Sequence, residues 1–396
     1  MPLSKKLSMN FILFLVSISF CSYSTAVFAV DSDLGAIKTL TGHDLNQLTG
    51  LDVYGLNMGG WVTPGFTYNP SNPSDRSNGS VQFNNRANEL QLYQLGLFLE
   101  KPLRREMQTW QVGGRFEFMF GTDTPNYQAT GNWDVNLINK NDLRFYDIAL
   151  PQAYIEIYTP LGNGISTKIG HFYSIIGYES VPSPLNFFAS HSYSMKSSPF
   201  TFSGVLTSYQ VNNNFSVQAG AVTGPDNLNQ HAGAWSFTGG FSLENQQHSR
   251  GFTFGILDGN IDDTLPSHLT YYYSVLHQNI TENLHFVLEH DFGSQQNAKA
   301  NQNAKWYSLV NYLIYDFNPK WSVGLRTEWF RDENGTRFST EAGSYYDISI
   351  AVNWKPKSWL TIRPELRNDW AVGTQPFDSQ TRSNQLLMVI DAVVRF

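Results

Sequence analysis

Cysteine is all but missing: the single residue, Cys21, lies among the first thirty positions. A chain without disulfides must hold itself together by a large core or by closing its sheet on itself. Long hydrophobic runs are also lacking. Phe11 to Phe20 is the longest apolar stretch, well short of the roughly 20 residues that a membrane-crossing helix needs. Basic charge is scarce, with 26 Lys and Arg against 33 Asp and Glu, a net −7 and no basic run. That composition argues against a nucleic-acid partner. Charged residues of both signs make up only 15% of the chain, whereas aromatics also reach 15%. An apolar outer face, a polar inner face and aromatic belts would together produce this mixture.

The first segment reads as an address, not as structure. Lys5 and Lys6 precede the apolar Phe11–Phe20 stretch, and Val27-Phe28-Ala29 offers a small-residue cleavage site. Residues 1–29 are therefore expected to be a signal peptide, cut after Ala29, with Ala26 as a second candidate site. Cys21 follows Ser19-Phe20 and lacks the small preceding residue that lipid attachment would want. Residues 30–50 are polar with a weak helical pattern and read as an N-terminal periplasmic extension. Residues 51–396 read as one β domain.

Alternation is the dominant signal in that domain. The last thirteen residues, 384–396, place Leu386, Met388, Ile390, Ala392, Val394 and Phe396 on one face of an extended chain. The other face holds Leu387, Val389, Asp391, Val393 and Arg395. Similar runs recur at about 53–68, 89–100, 109–120, 149–158, 164–173, 201–211, 215–222, 233–244, 251–258, 268–278, 284–292, 304–316, 321–331, 344–354 and 359–370. Connections at 101–107, 159–163, 212–214, 279–283, 317–320 and 355–358 are short, and those between them are long. An even count near sixteen with this asymmetry predicts an all-β, transmembrane, antiparallel up-and-down barrel with short periplasmic turns and long extracellular loops. A Greek-key sandwich has no reason to show it.

Charges fall on the faces opposite the Phe, Trp and Leu stripes. Arg115, Glu117, Lys168, Arg326, Glu328, Arg363, Glu365, Arg367, Asp391 and Arg395 are the expected pore-lining residues. They are expected to stay hydrated in a lumen as wide as sixteen strands allow.

Several pieces carry a family resemblance. They are Gly60-Trp61-Val62-Thr63-Pro64-Gly65-Phe66-Thr67-Tyr68-Asn69, Leu97-Phe98-Leu99-Glu100-Lys101-Pro102, Phe120-Gly121-Thr122-Asp123 and Pro151-Gln152-Ala153-Tyr154. Lys168-Ile169-Gly170-His171-Phe172, Ile176-Gly177-Tyr178-Glu179, Asn186 and Pro199-Phe200-Thr201-Phe202-Ser203-Gly204-Val205 follow. In order and spacing they resemble the beta-barrel porin-2, OmpL-like family over residues 55 to about 243. His171 stands where members often differ. The resemblance implies a bacterial outer-membrane porin for passive diffusion of small hydrophilic solutes or ions. Its implied partners are outer-membrane lipid, lipopolysaccharide and the barrel-assembly machinery, and it is compatible with a homotrimer. It also implies that the terminal Phe396 is an assembly signal. The third long connection, 174–200, is then the candidate constriction loop, with Glu179, His191 and Lys196. Glu179 is expected to face Arg115 and Lys168 across a narrowed bore.

Other chemistries fit less well. His285, Glu289 and His290 look metal-like, but strand geometry turns His290 away from the other two, so no metal or cofactor site is expected. His191-Ser192 and His248-Ser249 lie in expected loops with no accompanying acid signature, so no catalytic residues are assigned. The Asn-x-Ser/Thr triplets at Asn78, Asn214, Asn279 and Asn334 read as turn residues. A barrel with a closed lumen, serving as a surface adhesin, is the alternative function.

Overall fold

The computed structural model describes residues 35–396, except 82, 105–107, 132, 136, 139–144 and 300–301. The expected signal peptide, 1–29, lies outside the described residues. Two short helices, α1 (Ala36–Thr41) and α2 (Leu45–Thr49), come first. Asp44 caps α2 by accepting from the N–H groups of Asn46 and Gln47.

Sixteen strands follow. β1 (Asn57–Tyr68), β2 (Leu90–Lys101), β3 (Gln111–Gly121), β4 (Asp147–Thr159), β5 (Ile165–Tyr173), β6 (Thr201–Asn212), β7 (Phe215–Pro225) and β8 (Ser236–Glu244) form the first half. β9 (Arg250–Asn260), β10 (His268–Asn279), β11 (Leu284–Lys299), β12 (Gln302–Asn318), β13 (Trp321–Asp332), β14 (Gly343–Lys357), β15 (Leu360–Val372) and β16 (Asn384–Arg395) form the second. A short helix, α3 (Tyr193–Ser197), sits between β5 and β6.

Every strand pairs antiparallel with its chain neighbours, and β16 returns to pair with β1, so the sheet closes. Closure leaves no edge whose backbone groups lack partners, the condition for crossing a bilayer with strands. The seam extends to the last residue. Gly60 N–H donates to the Phe396 carbonyl at 2.8 Å, and Phe396 N–H donates to the Gly60 carbonyl at 3.0 Å. Trp61 and Trp306 point inward and are fully buried, each against a glycine on the next strand. A Cβ on Gly96 would come within 2.2 Å of the Trp61 ring, and one on Gly293 within 2.1 Å of Trp306.

The expected strands are all present, with boundary shifts of a few residues. Two differences are larger. β1 starts only at Asn57, because Asp52–Tyr54 form a 3₁₀ turn that ends in left-handed Gly55. The loop expected at 293–303 is mostly strand: β11 and β12 run for 16 and 17 residues and stand out beyond their neighbours. Gln295 to Gln302 is polar and carries no alternation to reveal it.

The exterior is the apolar face of the alternation. On β13 to β16, Leu325, Ile348, Ile350, Leu366, Met388 and Ile390 are exposed. Aromatics band this region at both ends. Trp321 stacks on Trp354 at 5.5 Å near one rim, and Tyr346 stacks on Trp370 at 5.0 Å near the other, as interfacial belts require. Leu325 lies midway between Trp321 and Trp329 on β13. Leu325→Arg is expected to lower stability in phospholipid vesicles by about 2–4 kcal/mol, read by denaturant unfolding.

Candidate functional site

The connection 174–200 folds into the barrel and lies against the inner wall of β11 to β16. The wall binds chiefly the loop's main chain. Glu365 accepts from the N–H groups of Ala189 at 2.8 Å and Ser190 at 3.0 Å, and from the Ser190 hydroxyl. Glu328 accepts from Tyr193 N–H and Ser194 N–H, both at 2.7 Å. These are first-turn donors of α3, which a helix cannot satisfy internally. Ser192 Oγ takes a third, from Met195 N–H at 3.0 Å. Glu289 accepts from Tyr178 N–H at 2.8 Å.

Three arginines bind the loop's carbonyl groups. Arg326 donates to Ser190 at 2.8 Å, Arg367 to His191 at 2.5 Å, and Arg363 to Ser183 at 3.1 Å and Asn186 at 2.7 Å. Each arginine also holds a wall carboxylate: Arg326 with Asp347 at 2.7 Å, Arg363 with Asp391 at 2.6 Å and Arg367 with Asp369 at 2.7 Å. Charge-assisted bonds of this kind are the strong ones, and in a dry setting each one lost is costly.

These contacts correct two expectations. All ten expected pore-lining residues do lie on the inward face. Hydrated they are not: Arg326 and Arg367 have 0% exposure, and Arg115, Glu117, Lys168, Glu328, Arg363, Glu365 and Asp391 are also buried. Only Arg395 is half-buried, and its guanidinium donates to the Ser358 carbonyl. Water is displaced on the β11–β16 side because the loop covers the wall there. On the other side, Arg115 is closed in by Glu100 at 3.2 Å, Glu117 at 2.7 Å and the Phe98 ring.

Glu179 is the second correction. It does not face Arg115 and Lys168. It bonds Arg326 at 3.0 Å, His191 Nδ1 at 3.2 Å and Ser192 N–H at 2.9 Å, on the opposite wall. Burial works to raise its pKa, but Arg326, His191 and the Ser192 N–H outweigh that and hold it at about 2. Lys196 donates to the Ser80 carbonyl at 2.9 Å and lies 5.0 Å from the centre of the Phe338 ring. Burial, with Arg367 nearby, pushes its pKa down to about 8.

Sequence reasoning missed Asp347, Asp369 and Asp291, although all three occupy inward positions of the alternation. It also missed two other loops that pack inward. Phe83, from the connection after β1, stacks on Tyr127 at 5.1 Å and meets His191 at 4.6 Å. Phe338, after β13, packs edge-on to Tyr193 at 5.0 Å. Within the metal-like trio, Glu289 turns inward and His290 lies on the opposite face, bonded to the Ser308 carbonyl at 2.7 Å.

A closed sixteen-stranded barrel with a lipid-compatible skin and loops folded into a charged interior defines a class, the bacterial outer-membrane pore. The family described as "Putative beta-barrel porin-2, OmpL-like" matches residues 55–396. The chain belongs to that family: it is an outer-membrane porin, a channel for passive diffusion of solutes. The resemblance seen in short motifs up to residue 243 thus extends to the last strand.

Solved structures share the fold. The outer-membrane channel DcaP of Acinetobacter baumannii matches with a TM-score of 0.57 and 13% identity, over 86% of this chain and 97% of that one. Pseudomonas putida OprB at high pH gives 0.56 and 12%, over 88% and 96%. Vibrio cholerae OmpT in its trimer form gives 0.52 and 10%, over 86% and 99%. No curated protein matches the chain by sequence.

Two outcomes follow for the loop. Glu365→Ala leaves the buried N–H groups of Ala189 and Ser190 and the Ser190 hydroxyl without their carboxylate, at a cost of about 3–5 kcal/mol. A lower thermal midpoint and protease nicking within 174–200 should report it. Glu179, with its pKa held from 4.5 down to about 2, stabilises the seated loop fully above its ordinary value. That contribution is lost as pH falls toward 2, so channel current should be steady down to about pH 4.5 and grow noisy below it.

Proposed function

We propose that the loop 174–200 sets the bore of this porin as a fixed constriction. Arg326, Arg363, Arg367, Glu328, Glu365 and Asp391 serve it by holding the loop's backbone, and Glu179, His191 and Lys196 by fixing its tip. Arg115, Glu117, Lys168 and Arg395 line the remaining inner wall. The observation that carries this is the fully buried network joining wall arginines and glutamates to loop N–H and carbonyl groups. A loop held at so many points has one position, so the opening it leaves has one size.

Phe396, bonded across the seam to Gly60, acts as the closing residue that the assembly machinery engages in a membrane of lipid and lipopolysaccharide. Residues 30–50 form a periplasmic extension. Support for that comes from Gly35, packed against Phe396, and from Asn46, whose side-chain oxygen accepts from Met58 N–H at 2.6 Å. The OmpT trimer form supports a homotrimer. No catalytic step is assigned, because His191 and Ser192 both donate to Glu179 instead of to each other. The closed-lumen adhesin reading draws on the inward packing of Phe83 and Phe338.

One experiment separates these readings. In planar bilayers the pure protein is expected to give current steps of a single size. A membrane that stays silent at high protein load would overturn the fixed-constriction reading in favour of a closed barrel.

A further inference from the structure

The inner wall is not uniform around the barrel. From β10 to β16 nearly every inward position is buried, and several of them bond the loop. On β6 to β9 several inward positions stay partly open: Ser208, Gln218, Gly220, Gly240 and Thr253 are half-buried. Register sets them side by side. Ser208 pairs with Gln218, Gln218 with Gly240, and Leu206 with Gly220, while Thr253 sits one step along from Gly255, the partner of Gly240. Their outward neighbours Val205, Phe237 and Leu243 are exposed to lipid.

This sector is almost devoid of charge. Between Thr201 and Leu243 the chain holds one charged residue, Asp226. It lies beyond the end of β7 and accepts from the N–H groups of Phe200 and Thr201. The only inward charge on the four strands is Glu244, at the end of β8, 3.3 Å from His277. Elsewhere the interior carboxylates bonded to the loop are held by its N–H groups, by an arginine or, for Asp291, by the hydroxyls of Ser194, Tyr271 and Ser308.

We infer that solutes pass through a crescent between the inward loop and the inner face of β6 to β9, and that the path suits small uncharged polyhydroxyl or amide-bearing molecules. This rests on the channel reading and adds the location of the path and the class of solute. An ion moving along a neutral wall loses water and gains no counter-charge. A sugar or polyol instead exchanges water hydrogen bonds for those of Ser, Thr and Gln, groups that both donate and accept. Glycine at 220 and 240 keeps this part of the wall thin. A Cβ at either would come within 2.2 Å of a backbone oxygen on the adjoining strand, so these positions resist substitution, and Gln218 and Ser208 are the ones to change.

The test uses the full barrel in liposomes and planar bilayers. Wild type should swell liposomes in arabinose and glucose. It should swell them more slowly in gluconate or glucosamine salts, and show potassium-to-chloride permeability within about threefold of unity. Gln218→Glu and Ser208→Asp should shift that ratio toward potassium several-fold, and Gln218→Arg toward chloride, each variant first checked for the heat-shifted gel mobility of a folded barrel. Preference for ions of one sign by more than about tenfold in wild type overturns the solute class. An unchanged ratio in all three folded variants overturns the location of the path. A wild type that neither swells liposomes nor conducts overturns the channel reading itself, and with it this one.

Discussion

The neutralisation of buried wall charge by a loop's own peptide groups is the constraint on which the interior depends. A carboxylate on a dry wall needs donors, and an arginine needs acceptors. Side chains alone could provide them, but here the peptide groups of 178–194 do much of it, Glu328 and Glu365 taking N–H groups while Arg326, Arg363 and Arg367 take carbonyls. Neither party is stable alone. Without the loop the wall would have to be wet, and without the wall the loop would carry unpaired backbone groups into the barrel.

That exchange is possible only because the sheet closes. A strand edge would compete for the same N–H and carbonyl groups, and an open sheet would let water reach the charges. Closure at Gly60 and Phe396 joins the last strand to the first, so the strand backbones bond to one another and the wall meets the loop chiefly with side chains. The lipid face then follows from parity. Residues between the inward Arg326 and Glu328 or Arg363 and Glu365 must point outward, and they are Thr327 and Pro364, flanked by Leu325, Leu366 and the tryptophan bands.

Much of this was legible in the chain. Period-two alternation located sixteen strands and the inward position of Arg115, Arg326 and Arg367, because parity depends on nothing distant. What escaped was whatever depended on the third dimension. Hydration of the charges on β13 to β16 was misjudged because their burial came from a loop more than a hundred residues away in sequence. Glu179 was assigned to the wrong wall for the same reason: nothing local says which strand a folded-in loop will touch. The charge-poor run from Thr201 to Leu243 was different. It was visible in the letters alone, and its meaning emerged only once the charges elsewhere were seen to hold something.

The loop-bearing wall and the β6–β9 wall therefore do opposite work, and the division has a physical cause. An irregular segment inside a barrel survives only against a wall that can satisfy its backbone, so arginine and glutamate must gather where the loop lies. Placed on the β6–β9 side as well, the same residues would either bind the loop there too and close the lumen, or stand unpaired and set up a field along the path. Neutral, short side chains on that wall avoid both outcomes. Keeping charge off the β6–β9 wall thus seats the loop against its charged partners and keeps the remaining space open by the same distribution of residues, and the asymmetry of the bore is a consequence of where the backbone could be satisfied.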